Sequence, residues 1–275
     1  MNRYAVWGNP IKHSLSPVIH QHFAKQTNKQ IEYVAQQGDN TLFKQQISQF
    51  FELGAKGANI TAPFKEVAFQ LADEHSEYCL LAEACNTLKK LSDGRLYADN
   101  TDGMGLIFDL KRLGWLSKNQ KVLILGAGGA TQGVLYPLLK VQQKITIYNR
   151  TFSKAVKLSE KFAKYGNIGV NSFDELQTNS FDLIINATSA GLQGQCIVLP
   201  ENLFQKNTKI YDMQYAPNMN TAFLNYAKKN KEQNIQDGLG MLVAQAGYSF
   251  YIWEQIQPEI ELVLQEIRRK IDKKI

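Results

Sequence analysis

The chain has 275 residues, of which 44% are hydrophobic and 20% charged, values typical of a globular protein of about two domains. No apolar run reaches the roughly 18 residues of a membrane-spanning helix, and the N-terminal stretch lacks a signal-peptide cleavage site. The net charge of +6 comes without a nucleic-acid-binding motif. We therefore expect a cytoplasmic protein that binds neither membranes nor nucleic acid.

The cysteines and histidines give no pattern of metal ligands. Cys79, Cys85 and Cys196 form no CxxC pair, which argues against a disulfide framework and a zinc ribbon. His20 and His22 are two residues apart and would point to different sides of a helix. We expect no metal site.

The first hundred residues alternate predicted strands and helices. YAVWG (4–8) is a buried strand, and Ser16-Pro17 has the form of an N-cap followed by proline at the first helical position. Pro63 stops a third strand, and a helix is predicted to start at about this proline. Between them lie the strand IEYVAQ, the amphipathic helix TLFKQQISQFFELG and the strand GANIT.

A second series of elements follows the segment DNTDG. It consists of the helix MGLIFDLKRLG, the strand–turn–helix KVLILGAGGATQGVLYPLLK, the strand ITIYNR, a helix from Ser153, and the strands FDLIINAT and KIYDMQY. This succession is typical of a doubly wound parallel sheet. The long apolar helix DGLGMLVAQAGYSFYIWEQI comes too late for that sheet, so we expect it to return to the first domain.

A glycine-rich turn lies between a strand and a helix of the second series. Gly126 permits a tight turn, Gly128 lets the backbone approach a pyrophosphate, and the helix N-terminus beyond offers unpaired N–H groups. Thr131 replaces the third glycine of GxGxxG, but the position between strand and helix strengthens the motif. The turn predicts a dinucleotide site.

The end of the following strand indicates which dinucleotide. NAD-specific sites place an acid there, whereas this chain has Asn149-Arg150-Thr151 with Lys154 nearby. A guanidinium holds a 2′-phosphate with charge-assisted hydrogen bonds that a carboxylate would oppose. The sequence therefore favours NADP, while Thr151 or Ser153 can also cap the next helix.

These elements predict an α/β protein of two domains. Residues 1–101 would form an α/β substrate-binding catalytic domain, completed by C-terminal helices in 238–275. Residues 102–237 would form a Rossmann-like NADP-binding domain with a doubly wound parallel sheet.

Several polar residues in the first domain are ambiguous when taken singly. Ser14 and Ser16 suit loop hydroxyls with one N-cap, Asn86-Thr87 suits a turn, and Asp102 suits an N-cap. Gln245 lies in an apolar helix, where a buried amide must find partners. Asn59 suits a strand-end hydrogen bond as well as a substrate contact.

Together these segments resemble the shikimate dehydrogenase family, in its biosynthetic, NADP-dependent form, over nearly the whole chain. The matching motifs, in family order and spacing, are GNPIKHSLSP, GANITAPFKE, CNT, DNTDGMG, LGAGGAT, NRT, INATSAG, YDMQY and DGLGMLVAQAG. The chain departs from the family at Glu83–Thr87, where GAVNT is common, and at Thr221-Ala222, where Thr-Pro is common.

The resemblance implies reversible reduction of 3-dehydroshikimate to shikimate by NADPH. It makes Lys65 the acid–base residue, acting beside Asp102. The residues it implies for substrate binding are Ser14, Ser16 and Tyr215 at the carboxylate, and Thr61, Asn86, Asp102 and Gln245 at the ring hydroxyls.

The resemblance also implies a set of cofactor residues. They are Gly126, Ala127, Gly128, Gly129 and Ala130, then Asn149, Arg150, Thr151 and Lys154, and finally Thr188, Met213, Gly238 and Glu77. A solvated helix residue explains Glu77 equally well. The alternatives are a quinate/shikimate dehydrogenase and a non-enzymatic NADP-sensing module. The expected partner is the small-molecule substrate, and a homodimer is a candidate assembly that no recognisable surface supports.

Overall fold

The computed structural model of the protein describes residues 1–230 and 233–273, without the side chains of residues 192 and 193. The chain divides into two compact units, unit 1 (Met1–Gly105 and Leu242–Ile267) and unit 2 (Leu106–Met241 and Arg268–Ile275). These divisions fall a few residues after those expected from the sequence. They also group Arg268–Ile275 with unit 2, whereas the sequence expectation kept 238–275 with the first domain. Arg268 donates hydrogen bonds to Ala216 O and to the carboxylate of Asp237, which explains this grouping.

Unit 1 is built on six strands and four helices that come early in the chain. The strands are β1 (Asn2–Gly8), β2 (Ile31–Gln37), β3 (Gly57–Ile60), β4 (Glu74–His75), β5 (Thr87–Lys90) and β6 (Leu96–Asp99). The helices are α1 (Ser16–Gln26), α2 (Phe43–Glu52), α3 (Lys65–Leu71) and α4 (Glu77–Ala82). The next helix, α5 (Asp102–Arg112), begins in unit 1 and ends in unit 2.

The sheet of unit 1 is mixed, with the order β2-β1-β3-β5-β6-β4. β1 and β3 are parallel, so both end at the same edge, while β5 runs antiparallel to β3 and β6 and therefore starts there. The cross-strand pairs Asn59–Thr87 and Thr87–Asp99 mark this edge. The segments after β1, β3 and β6 and the residues before β5 consequently come together along one side of the sheet.

Unit 2 contains a six-stranded sheet in which every neighbouring pair is parallel, with the order β12-β11-β10-β7-β8-β9. Its strands are β7 (Lys121–Leu125), β8 (Lys144–Tyr148), β9 (Ile168–Val170), β10 (Leu183–Asn186), β11 (Lys209–Asp212) and β12 (Ile235–Asp237). Its helices are α6 (Gly129–Lys140), α7 (Phe152–Phe162), α8 (Phe173–Leu176) and α9 (Ala222–Lys229). The predicted α/β class with a doubly wound, Rossmann-like parallel sheet is confirmed.

Two helices follow β12, α10 (Leu239–Glu254) and α11 (Ile260–Asp272). Most of α10 belongs to unit 1, where Trp253 stacks on Tyr4 with ring centroids 4.6 Å apart and donates a hydrogen bond to Leu88 O. A Cβ at Gly57 would overlap the Trp253 ring, so glycine is needed there. The late apolar helix thus contributes an aromatic anchor to the core of the early sheet.

Two predicted helix starts are wrong by one or two residues. Ser16 is not the N-cap of α1: Leu15 holds that position, and Ser14 Oγ accepts from Ser16 N at 3.3 Å. α3 starts at Lys65 rather than at about Pro63, because a turn closed by Phe64 N and Thr61 O separates it from β3. Hydroxyl and proline signals identified both helix starts, but the turn geometry set their position.

Candidate active site

Lys65 and Asp102 form an ion pair at the edge of the unit 1 sheet where β3 and β6 end. Lys65 is the first residue of α3 and Asp102 the first of α5, so each follows a strand that ends at this edge. Lys65 Nζ donates to Asp102 Oδ2 at 2.5 Å, with side chains only 23% and 11% exposed. Partial burial keeps solvent from competing for this contact. Asp102 is thus held by side-chain partners and is more than a helix cap.

Asn86 connects this pair to a third element. Its Nδ2 lies 2.8 Å from Asp102 Oδ1 and 3.1 Å from Gln245 Oε1, and Gln245 comes from α10. Its Oδ1 accepts from Thr101 N at 2.9 Å and from Thr87 Oγ1 at 2.8 Å. Asn86 directly precedes β5, so the turn considered from the sequence is the start of a strand. Lys65, Asn86, Asp102 and Gln245 therefore form one hydrogen-bonded cluster.

Ser14, Ser16 and Thr61 lie after β1 and β3 and so near the same edge. Ser16 is buried, while Ser14 and Thr61 are half-buried. The Thr61 methyl packs against Gly8, where a Cβ would overlap it. In the described part of the chain, no hydrogen bond joins these three side chains to the Lys65 cluster. They stay proposed substrate contacts.

Two further predicted residues belong to other segments of the chain. Tyr215 follows β11 in unit 2, where burial, with a smaller contribution from Asp237, raises the pKa of its hydroxyl. Glu77 is exposed at the start of α4, whose N-cap is Ser76. A hydroxyl that stays protonated suits hydrogen bonding to a carboxylate. The exposure of Glu77 agrees with the solvated-residue interpretation.

Asn59 is buried and its polar atoms are occupied by protein groups. Its Oδ1 accepts from Tyr33 OH at 2.7 Å, and His20 Nε2 lies 3.2 Å from the same atom. Its Nδ2 donates to Asn86 O at 3.1 Å and to Ser249 Oγ at 2.9 Å. Of the two interpretations that the sequence left open, this geometry supports the structural one.

His20 and Tyr33 stack beneath Asn59, with ring centroids 4.2 Å apart. Burial lowers the pKa of His20 to about 3, so the ring is neutral at physiological pH. Burial raises the pKa of Tyr33 well above its usual value, and a hydrogen bond from the Ser16 side chain opposes that shift. Both groups are therefore fixed in their neutral states.

The glycine turn of unit 2 leaves space where a dinucleotide would need it. Gly126 follows β7 and has φ +107°, a conformation that favours glycine, and a Cβ there would lie 3.1 Å from Thr188 Cγ2. At Gly128 and Gly129 a Cβ would meet nothing within 4 Å. Gly128 is the N-cap of α6 and provides no side-chain cap, so the first amides of this helix have no side-chain partner there. These features fit a bound pyrophosphate.

Thr131 explains how the turn works without a third glycine. It is fully buried in the first turn of α6, and its Oγ1 donates to Gly126 O at 2.9 Å. The buried hydroxyl thus holds the turn from the protein side, while Gly128, Gly129 and Ala130 are exposed.

The residues after β8 fit a 2′-phosphate. Arg150, Thr151 and Lys154 are all exposed, and Asn149 Nδ2 donates to Thr151 O at 2.8 Å, which shapes the loop. Thr151 is the N-cap of α7 by position but makes no side-chain capping bond. The loop therefore presents two cations and a hydroxyl, and no acid, where a ribose 2′-substituent would lie.

Thr188, Met213 and Gly238 complete the predicted cofactor set. Thr188 Oγ1 donates to Asn186 Oδ1 at 2.7 Å, and Met213 N donates to Asn186 O at 3.0 Å, so one asparagine places both residues. A Cβ at Gly238 would overlap the backbone of Met213, which makes glycine a packing requirement there. All three follow or face the carboxyl ends of β10 and β11, where ligands of doubly wound sheets bind.

The described residues contain no group of three or more His, Cys, Asp or Glu side chains placed to hold a metal ion. Within the same residues, no helix combines the length and apolar character needed to cross a membrane.

Comparison with known proteins identifies the family. Two family models match, "Shikimate dehydrogenase substrate binding domain" over residues 6–88 and "Shikimate / quinate 5-dehydrogenase" over residues 110–209. A shikimate dehydrogenase (NADP(+)) of Glaesserella parasuis is 63% identical over 272 residues, 99% of this chain and 100% of that protein. The chain belongs to the shikimate dehydrogenase family.

Solved shikimate dehydrogenases share the fold over nearly the whole chain. The Aquifex aeolicus enzyme is 33% identical with a TM-score of 0.87, covering 98% of each chain. The Thermus thermophilus enzyme, solved with NADP(H) and shikimate, is 29% identical with a TM-score of 0.86, covering 98% of this chain and all of that one. The family predicted from the sequence motifs is confirmed.

The sequence did not reveal three buried hydroxyl residues of this shikimate dehydrogenase family member that hydrogen-bond to the Lys65 cluster. Thr87, Thr101 and Ser249 are buried hydroxyls that bond to one another and to Asn86 or Gln245. One signal was present, since Ser249 lies four residues after Gln245 and so shares its face of α10. Thr87 directly follows Asn86 and Thr101 directly precedes Asp102, so both are next to residues already singled out.

Proposed function

We propose that this protein catalyses the reversible reduction of 3-dehydroshikimate to shikimate with NADPH, a step of aromatic amino-acid biosynthesis. The proposal rests on the partly buried Lys65–Asp102 pair in a chain of the shikimate dehydrogenase family. Relatives named shikimate dehydrogenase (NADP(+)) match nearly the full length of the chain, which supports both the substrate and the cofactor. The exposed Arg150 and Lys154 after β8 support binding of the 2′-phosphate that distinguishes NADP from NAD.

NADPH, when bound, supplies a hydride to the ketone carbon, and negative charge develops on the carbonyl oxygen. The Lys65 ammonium donates a proton to that oxygen, and in the oxidation direction the neutral amine takes the proton from the hydroxyl. Asp102 orients Lys65 Nζ through the 2.5 Å contact. Asn86 fixes the other oxygen of Asp102, so the carboxylate cannot rotate away from the lysine.

The remaining polar residues would bind the substrate in its reacting position. Ser14, Ser16 and Tyr215 offer neutral hydroxyls to a carboxylate, while Thr61, Asn86, Asp102 and Gln245 face ring hydroxyls as donors and acceptors. Holding the ketone beside Lys65 is itself a large part of catalysis, since positioning removes the entropic cost of encounter.

A spectrophotometric assay of the purified protein tests the proposal. Shikimate and quinate are each offered with NADP⁺ and with NAD⁺, and reduction of the nicotinamide is followed. We expect the highest kcat/KM with shikimate and NADP⁺. A higher value with quinate and NAD⁺ would favour the quinate/shikimate alternative. Binding of NADP⁺ without any turnover would favour the NADP-sensing module.

A cytoplasmic location and a homodimer are finer parts of the proposal. The location is supported by three free cysteines, Cys79, Cys85 and Cys196, which suit a reducing compartment. Sedimentation velocity at micromolar concentration tests the dimer, and a single monomeric species would contradict it.

A further inference from the structure

A chain of buried hydrogen bonds runs from Tyr33 to the Lys65–Asp102 pair through residues with no assigned role. The Tyr33 hydroxyl donates to Asn59 Oδ1 at 2.7 Å. Asn59 Nδ2 faces Asn86 O at 3.1 Å, Thr87 Oγ1 at 3.3 Å and Ser249 Oγ at 2.9 Å. The chain thus links the buried Tyr33 hydroxyl to the proposed acid–base pair inside unit 1.

Hydrogen-bond chemistry fixes the orientation of the Asn59 amide. A carbonyl oxygen only accepts, so the atom of Asn59 that faces Asn86 O must be Nδ2. Tyr33 then donates to Oδ1 on the other side. Both polar atoms of the Asn59 amide therefore have hydrogen-bond partners, and the amide group has a single orientation.

The Asn59 orientation in turn determines where the hydroxyl protons point. Asn59 Nδ2 carries two protons, which go to Asn86 O and Ser249 Oγ, the two nearer acceptors. Ser249 then donates to Thr87 Oγ1 at 2.7 Å, so the single Thr87 proton is directed to Asn86 Oδ1 at 2.8 Å. With its Oδ1 occupied by donors, Asn86 directs its Nδ2 toward Asp102 Oδ1.

We propose that Asn59 and Thr87 are positioning residues of the reaction, which set the orientation of Asn86 and through it that of Asp102 and Lys65. Neither needs to contact the substrate, since all their polar atoms are engaged by protein and both are buried. The inference rests on the proposed function, because it concerns the acid–base pair of that reaction. The competing explanation is that the two side chains only satisfy buried polar groups and so affect stability alone.

A matched pair at Thr87 separates the two explanations. Thr87→Val keeps the shape and the methyl group but removes the hydroxyl, whereas Thr87→Ser keeps the hydroxyl and removes a buried methyl. We measure Tm, kcat with shikimate and NADP⁺, and the Kd for NADPH of each. We expect Thr87→Val to lose about tenfold in kcat with the Kd for NADPH unchanged. Thr87→Ser should stay within about twofold of the wild-type kcat despite a lower Tm.

Asn59→Asp provides a second variant with the same shape. An ionised carboxylate at position 59 only accepts, so the protons of Thr87 and Ser249 turn toward it and Asn86 loses a donor. We expect a larger loss of kcat than in Thr87→Val. Activities that follow Tm across the three variants, or a wild-type kcat in Thr87→Val, would overturn the inference while leaving the proposed function intact. A wild-type protein without shikimate oxidation would overturn both.

Discussion

The candidate substrate groups of unit 1 are side chains that hold one another, whereas the cofactor segments of unit 2 offer backbone amides, open space and exposed cations. In unit 1, Lys65, Asn86 and Asp102 are linked by contacts of 2.5 to 2.8 Å and lie over a layer of buried hydroxyls. In unit 2, Gly128 and Gly129 have nothing within 4 Å of a Cβ position, and Arg150 is exposed.

We relate this difference to the two kinds of ligand proposed for the two units. A small ring with several hydroxyls is recognised by directional donors and acceptors, which a buried network holds at fixed angles. A dinucleotide phosphate is recognised by charge and by close approach of the backbone, for which glycine and a helix N-terminus suffice. We therefore expect mutations in unit 1 to affect kcat and mutations in unit 2 to affect cofactor binding.

The largest effect is expected for Lys65→Ala. Loss of the proton donor should lower kcat by about 10²–10⁴-fold, the range for general acid–base catalysis. The Kd for NADPH, measured by fluorescence titration, should not change. Lys44→Ala, which removes an exposed lysine from α2, is the matched control and should keep full activity. Wild-type turnover in Lys65→Ala would remove this residue from the mechanism.

Arg150→Gln should alter cofactor choice without altering chemistry. Removal of a charge-assisted hydrogen bond to a phosphate should raise the KM for NADP⁺ by about 10- to 100-fold and leave the KM for NAD⁺ nearly unchanged. Lys121→Gln is the control. It also removes one positive charge, but at the start of β7, whereas Arg150 follows the end of the neighbouring parallel strand β8. An equal rise in both KM values would indicate a role other than 2′-phosphate recognition.

Burial of His20 in unit 1 should make the stability of the protein sensitive to acid. Its pKa is about 3 when folded and 6.5 when exposed, so the unfolded chain binds the proton first. The contribution of neutral His20 to the free energy of unfolding is complete above pH 6.5 and is lost as the pH falls, by about 2 kcal/mol at pH 5. In urea unfolding, His20→Gln should show a smaller loss between pH 7 and pH 5. An equal loss of unfolding free energy in the wild type and in His20→Gln would exclude His20 as the source of this acid sensitivity.

Two buried carboxyl groups of unit 2 have the opposite effect on stability as the pH falls. Burial raises the pKa of Asp109 and of Asp212 above the ordinary 3.8. The folded protein therefore binds these protons at a higher pH than the unfolded chain does. The destabilisation from burying the two charged carboxylates decreases as the pH falls from their raised folded-state pKa values toward 3.8. We therefore expect these two carboxyl groups not to add to the acid sensitivity that the buried His20 produces.

The smallest effect is expected from a pair of glycine substitutions. Gly128→Ala places a Cβ in open space, so Tm should not change, while the Kd for NADPH should rise by about tenfold if a phosphate approaches there. Gly126→Ala strains a residue with φ +107° and meets Thr188 Cγ2, so it should lower Tm as well. Unchanged NADPH binding in Gly128→Ala would exclude the turn as the pyrophosphate site.

Much of the fold could be predicted because its signals are local. The apolar strands, the glycine turn after Leu125 and the proline after β3 specify backbone conformation within a few residues, and the order of elements then limits the topology. The pairing of β5 with β3 and β6 was not predicted, since Thr87–Lys90 is short and carries two lysines. Antiparallel pairing places Asn86 beside Asp102, so this omission concealed the site's geometry.

The candidate site was predicted through its motifs more than through its physics. Lys65 and Asp102 are 37 positions apart, and nothing local indicates that their charges meet at 2.5 Å. Asn59 illustrates the limit best: the sequence could not separate a strand-end hydrogen bond from a substrate contact, because the answer depends on Tyr33 and Ser249, which come from different elements.

The sequence alone determined the family, the two-part α/β organisation and the preference for NADP, because each depends on short motifs or on the type of one residue. The tertiary structure decided which polar groups are free for a ligand and which are used by the protein. That distinction depends on distances and directions between residues remote in the chain, and hydrogen bonds at 2.5 to 3.3 Å are too short-ranged to be inferred from spacing along it.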